Sequence, residues 1–287
     1  MRLYPSSKTK RSTFPPVVFL VLLQLFLFCQ HNPEPLPRLT ADDFRPNTVL
    51  VPAGWFWMGS DEGEPDEKPL HRVWVDSFRI DVYPVTNEQY LEFVRETGHR
   101  KPRYGNNDGC NHPLQAVVGV SWDDAFAFCA WRSKKEGVHY RLPTEAEWEK
   151  AARGVDKRRF PWGEKKPSPR HANTKLKENM PTVGMCDLGT SPYGCLDMVG
   201  NVWQWCEDWY APEYYRMSPD SNPSGPRQPT RGGRVVRGGN WVFLGCCSGS
   251  PAYALRCAQR NSFHPNIRKK SIGFRCVREI TEGKEAS

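Results

Sequence analysis

The sequence predicts a single α+β domain of low regularity, and three observations carry that prediction. Three segments hold a helical apolar period and two others read as strands. The remainder is punctuated by 26 Pro, 23 Gly and 11 Trp, which cut it into short, coil-rich pieces. No internal repeat divides the 287 residues, and 38% hydrophobic with 25% charged residues supports a packed core rather than a disordered or collagenous chain.

From the N-terminus, Arg2, Lys8, Lys10 and Arg11 precede an apolar run, Phe14–Phe28. As a helix at ~1.5 Å per residue, that run covers roughly 22 Å against a hydrocarbon core of about 30 Å, so it reads as a signal-peptide h-region. Export to the periplasm or cell envelope is the expectation. Cys29 follows the run directly, and His31-Asn32-Pro33-Glu34-Pro35 reads as a linker, the pattern of a lipoprotein leader acylated on Cys29. A cleaved soluble form and an uncleaved short anchor are the alternatives, and Phe28, bulky before the Cys, argues for them. The layout is therefore a leader over 1–28, a linker over 29–46, a domain over 47–279 and a tail over 280–287.

Within the domain, Arg72–Ile80 reads as a strand. Thr86 opens the first helix, with Gln89 completing a capping box, Tyr90, Phe93 and Val94 on its apolar face, and Gly98 ending it. Ser121 with Asp124 opens the second, which buries Ala125, Phe128, Cys129 and Trp131. Thr144 with Glu147 opens the third, which runs through Trp148 and Ala151 to Gly154. Arg234–Arg237 reads as a second strand.

Charge excludes one class of partner. Lys+Arg exceed Asp+Glu by eight, but the leader and the segment 153–177 hold the excess: Arg153, Lys157, Arg158, Arg159, Lys165, Lys166, Arg170, Lys175 and Lys177 face only Asp156 and Glu164 there. Outside those stretches the chain is slightly acidic, which argues against nucleic acid as a partner. The histidines show no metal-ligand spacing, and no Cys-x-x-Cys, nucleophile elbow or phosphate loop is present. Beyond Cys29, Cys110, Cys129, Cys186, Cys195, Cys206, Cys246, Cys247, Cys257 and Cys276 read first as disulfide partners in an oxidising compartment, with one left over. Cys186 with Cys195 and Cys206 with Cys257 are candidate pairs. Trp203, Trp205, Trp209 and Trp241 read as core, with an aromatic groove for a peptide or glycan as the alternative.

Seven motifs stand in order: Val51-Pro-Ala-Gly-Trp-Phe-Trp-Met-Gly-Ser60, Pro84-Val-Thr-Asn-Glu-Gln-Tyr90, Val120-Ser-Trp-Asp-Asp-Ala125, Arg141-Leu-Pro-Thr-Glu-Ala-Glu-Trp-Glu149, Gly200-Asn-Val-Trp-Gln-Trp205, Arg237-Gly-Gly-Asn-Trp241 and Gly273-Phe-Arg275. Together they resemble the signatures of the formylglycine-generating enzyme (sulfatase-modifying factor) family over roughly residues 48–278. The resemblance implies a fold related to the C-type lectin fold. It also implies a Cys129–Cys276 disulfide, and a calcium site with side chains from Asp197 and Gln204 and carbonyls from Gly200 and Val202, oxygen-only ligation that suits Ca²⁺. A second family calcium site would begin near Asn173-Thr174.

For the family's oxidases the resemblance implies two thiolates, five residues apart, that bind Cu(I) and use O₂ to turn a sulfatase cysteine into formylglycine, a donor set suited to that soft ion. Counted from Gly238-Gly239, the pair falls on Phe243 and Ser248. Counted back from Cys257, it falls on Cys247 and Ala252. Neither alignment assembles a pair, so Cys246, Cys247 and Cys257 are the only thiols left as catalytic candidates. Two functions follow as expectations: a peptide-, glycan- or envelope-binding module without oxidase activity, or an active oxidase that uses Cu⁺ and acts on a sulfatase.

Overall fold

The structure, a computed structural model, describes residues 48–172, 179–228, 233–240 and 251–280. All of these lie in the compact unit Phe44–Ser287. The leader with Cys29, Asn173-Thr174, the segment with Trp241, Phe243, Cys246, Cys247 and Ser248, and the tail beyond Ile280 lie outside the described residues.

In chain order the elements begin with β1 (Thr48–Val51), β2 (Gly54–Met58), β3 (His71–Val75) and β4 (Phe78–Asp81). Helices α1 (Asn87–Thr97) and α2 (Trp122–Glu136), strand β5 (Tyr140–Arg141) and helix α3 (Glu145–Arg153) follow. The second half supplies β6 (Trp203–Trp209), β7 (Arg234–Arg237), the single turn α4 (Pro251–Ala254), β8 (Arg260–Phe263), β9 (Ile272–Gly273) and β10 (Val277–Glu279).

All three expected capping boxes form, each with its Ser or Thr oxygen accepting from the N3 amide and the N3 side chain returning to the cap. Gly98, at φ 71°, ends α1 in the left-handed conformation that glycine adopts without a Cβ penalty. The expected strand Arg72–Ile80 is instead two strands in different sheets. β3 pairs with β2 as a hairpin, whereas β4 lies between β1 and β10 in the antiparallel order β1-β4-β10-β5. The break at Asp76-Ser77 has a distant cause: Asn222 donates to the Asp76 carboxylate at 2.9 Å and accepts the Asp76 amide at 2.9 Å.

The third sheet runs β8-β7-β6-β9, with β9 parallel to β6. One apolar cluster joins Phe56, Val73 and Ile80 to Trp148, Val235 and Leu255; another joins Tyr90, Phe93 and Phe128 to Trp205 and Phe274. The first cluster wraps α3, whose every residue is buried, including three glutamates, a lysine and an arginine. Those charges need partners, and the partners organise the site.

Candidate functional site

Helix α3 presents Glu145 and Glu149 on one face, four residues apart, toward cations from β7 and β8. Glu145 takes Arg260 at 2.8 and 2.7 Å and Arg237 at 3.0 Å. Glu149 accepts from Arg237, from the Gly59 amide at 2.9 Å and from Arg153 at 3.1 Å. Arg237, fully buried, also donates from its two terminal nitrogens to the Cys257 and Ala258 carbonyls at 2.7 and 3.2 Å. Burial works to raise the Glu145 carboxyl, but the charges of Arg260 and Arg237 outweigh it and hold the group below the usual range. Asp208, buried beside Glu145 without a cation of its own, is pushed well up by burial and by the Glu145 charge. This lattice fixes the segment 256–260 against α3 and the turn after β2.

Where those segments meet, a cleft of about 620 Å³ opens. The turn after β2 contributes Gly59, Ser60, Asp61 and Glu62 to its wall, the loop leaving α3 contributes Arg153, Lys157, Arg158 and Arg159, and α4 with its continuation contributes Ala252, Tyr253 and Arg256. Arg256 is clamped by Glu67, with Nη2 to Oε1 at 2.7 Å, and stacks 4.0 Å from the Tyr253 ring centre. Ala252, the position of the second copper thiolate when counted from Cys257, is thus a methyl group on the cleft wall.

Of the three candidate catalytic thiols, Cys246 and Cys247 lie outside the described residues. Cys257 is in the core, fully buried, its amide bonded to the Arg159 carbonyl at 2.8 Å. Burial pushes its thiol up to about 12, against a thiolate at neutral pH. Cys257 therefore belongs to the packing behind the cleft, and it is the one thiol of the three that stands among the described residues.

The calcium set does not assemble as expected either. Gln204 Oε1 accepts from Trp148 Nε1 at 2.9 Å and from Arg275 Nε at 2.7 Å, which fixes the amide orientation. Its NH₂ group then faces the Asp197 carbonyl at 2.8 Å and the Val202 carbonyl at 3.5 Å. A donor stands where the fourth oxygen ligand is needed, and Arg275 also donates to the Leu196 and Asp197 carbonyls at 2.8 and 3.1 Å. Gly200 donates to the Gly238 carbonyl, and Asp197 accepts the Gly184 amide while burial raises its carboxyl. The four residues are neighbours but do not fit Ca²⁺ with glutamine at 204. Asn201 beside them, at φ 54°, keeps its side-chain amide buried next to the Asp197 carboxyl.

Cys129 on α2 and Cys276 before β10 are brought to a sulfur separation of 3.5 Å, both buried and both thiols. Cys186, Cys195 and Cys206 are buried thiols too; Cys186 donates toward the Pro169 carbonyl and Cys206 toward that of Gln204. Trp203 and Trp205 are core residues, as expected, whereas Trp209 holds Arg234 against Trp122, with ring centres 3.7 and 3.9 Å from the guanidinium. Sequence reasoning saw the basic run 153–177 as a charged loop and missed that its first part forms a cleft wall. The signal was its start at the end of α3, which carries Glu149 toward Arg153.

Comparison with known proteins gives one domain: the profile of the sulfatase-modifying factor enzyme 1-like domain covers residues 35–280. The chain is 36% identical over 273 residues to a serine/threonine-protein kinase pkn1 of Chlamydia pneumoniae, covering 88% of this chain but only 40% of that protein's length. It is 32% identical to a formylglycine-generating enzyme of Streptomyces coelicolor, covering 89% of this chain and 95% of that one. An inactive C-alpha-formylglycine-generating enzyme 2 of Mus musculus is 30% identical, with 96% of each covered. Among solved structures, PvdO from Pseudomonas aeruginosa superposes with a TM-score of 0.68 at 30% identity, covering 82% of this chain and 95% of that one.

Proposed function

The chain belongs to the sulfatase-modifying factor (formylglycine-generating enzyme) family, and from that premise we propose that it is an exported binding module on the family fold, without copper-dependent cysteine oxidase activity. The observation that carries the proposal is the cleft wall. At the copper position that the structure describes stands Ala252, and Cys257, the candidate thiol among the described residues, is a core thiol that burial holds protonated. A methyl group cannot ligate Cu(I), and a ligand pair must be in place before the substrate sulfur arrives. The full-length similarity to an inactive mouse paralogue supports the same reading.

What the cleft does offer is recognition: a polar, charged wall and an aromatic face in Tyr253, on segments anchored by buried ion pairs. A polypeptide, a glycan or another envelope component is the ligand class, and the leader places the protein where it meets one, with the membrane reached through the leader or an acylated Cys29. Mass spectrometry of the mature N-terminus tests export, because an intact Met1 on a cytosolic protein contradicts it.

The oxidase reading, in which Cys246 or Cys247 serves Cu⁺ and a sulfatase is the substrate, draws on the full-length similarity to the Streptomyces enzyme. Anaerobic Cu(I) titration, followed by an assay for aldehyde on a cysteine-containing peptide, separates the two. The binding module takes up no stoichiometric copper and makes no aldehyde.

A further inference from the structure

Resting on the export and membrane reading above, we propose that a basic face built from two loops docks the domain on an anionic phospholipid surface. Arg100, Lys101 and Arg103 lie in the loop from α1 to α2, and Arg268, Lys269 and Lys270 lie in the turn from β8 to β9. Lys101 and Arg268 are 167 residues apart in sequence, and the fold knits their loops together. The Arg268 guanidinium donates to the Lys101 carbonyl at 2.6 Å and to the Gly119 carbonyl at 2.9 Å. Gly119 also accepts the Arg103 amide and gives its own amide to the Lys269 carbonyl, both at 3.0 Å. Six cations thereby share one surface.

Carboxylates do not cancel them. The segments 99–124 and 264–271 hold three, Asp108, Asp123 and Asp124, against those six cations, which leaves a surplus of three positive charges. Asp124 is buried and shared, 2.6 Å from Arg100, 2.9 Å from His99 and 3.5 Å from Arg268. Lys101, Arg103 and Lys269 are exposed and make no ion pair among the described residues. Lys269 rests 4.1 Å from the Phe263 ring centre and Arg103 5.8 Å from that of Tyr104, contacts that position a charge without neutralising it.

Like charges crowded on hydrogen-bonded loops repel one another, and an external anion relieves that repulsion. None of the six lines the cleft, so the partner meets an extended face rather than entering that pocket. A bilayer with anionic headgroups is such a partner, and the leader brings the domain to one. A single acyl chain on Cys29 binds a membrane only marginally, and a basic patch is the second signal that makes the attachment stable. The linker over 29–46 spans about 60 Å when extended, enough for any face of a domain of this size to lie on the membrane.

Co-sedimentation of the full chain with vesicles tests this at low salt. Vesicles of phosphatidylcholine alone report whatever lipid affinity the leader has, and there the native chain and its variants partition alike. Phosphatidylglycerol added in equal part raises the partition coefficient of the native chain by about tenfold or more, and higher salt removes that gain. The triple variant Lys101→Gln, Arg103→Gln, Lys269→Gln loses the gain without a lower melting temperature, because all three side chains are exposed and unpaired. Lys134→Gln with Lys165→Gln and Lys166→Gln, an equal loss of charge at exposed positions elsewhere, keeps it. No gain from phosphatidylglycerol overturns the inference, as does a gain kept by the patch variant, or an equal loss in the control, which marks general charge attraction. Binding to soluble polyglutamate without a response to the vesicles also overturns it, because the partner is then an acidic polypeptide. The mature N-terminus tests export separately: an exported chain indifferent to anionic lipid defeats this inference and leaves the module reading standing.

Discussion

At the scale of single residues, the exchange of a carboxylate for an amide at Gln204 has the largest consequence. Its NH₂ group bonds the Asp197 backbone carbonyl and faces the Val202 carbonyl, and its oxygen is held by Trp148 and Arg275. The melting temperature is therefore expected to be the same in EDTA and in millimolar Ca²⁺; a rise with Ca²⁺ that Asp197→Ala removes would restore the calcium site. Asp208 gives a pH signature. Its folded pKa lies well above the free carboxyl value of about 3.9. Between those two values the folded chain holds a proton that the unfolded chain has released, so stability falls as pH rises through that window. Asp208→Asn keeps an acceptor for the Glu145 amide, which Asp208 now binds at 2.8 Å, and abolishes the titration. The variant's thermal advantage over the native chain grows as pH rises above the free carboxyl value of about 3.9, and a difference independent of pH contradicts the assignment.

At the scale of elements, α3 is held by partners far away in sequence. Arg237→Ala removes a cation shared by Glu145 and Glu149 and leaves buried acceptors unmet while Arg260 and Arg153 still face the two carboxylates, a loss of about 1–3 kcal/mol per unmet buried group. Urea unfolding checks this, and a loss below about 1 kcal/mol would show that the lattice is not what seats the helix. Cys129 on α2 and Cys276 before the last strand, β10, face each other across 147 residues of chain. Oxidation of the pair would restrict the unfolded chain by about 4–5 kcal/mol in the loop-entropy treatment. Non-reducing peptide mapping of protein from an oxidising compartment is expected to recover that pair, and Cys276 found free or bonded elsewhere contradicts it.

These elements also show what a sequence can and cannot reveal. The three helices were legible because a capping box and a terminal glycine are local signals. The division of Arg72–Ile80 was not, because Asn222, 146 residues from Asp76, makes the break. Glu145 and Glu149 looked like the polar part of an amphipathic helix, since Arg237 and Arg260 stand 92 and 115 residues on. Four of the five cleft cations were visible as a basic run, while their pairing, with each arginine on a carboxylate and Lys157 against the Trp57 ring, exists only once the chain has folded.

At the scale of the whole molecule, the family's motifs map onto its framework more than onto chemistry. Arg237, Glu145, Glu149, Trp148 and Arg275 are buried groups that hold strands, a helix and loops together, and they are present in full. The thiolates that would turn this framework into an oxidase are replaced at Ala252 and, in the direct alignment, at Phe243 and Ser248. Such a framework does not depend on the thiolates, since stability and chemistry reside in different side chains. The most direct test is anaerobic Cu(I) titration of the purified chain, followed by exposure to O₂ with a cysteine-containing peptide and detection of aldehyde. The account predicts no stoichiometric copper uptake and no aldehyde; tight one-to-one copper binding with aldehyde formation, lost in Cys247→Ala, would contradict it.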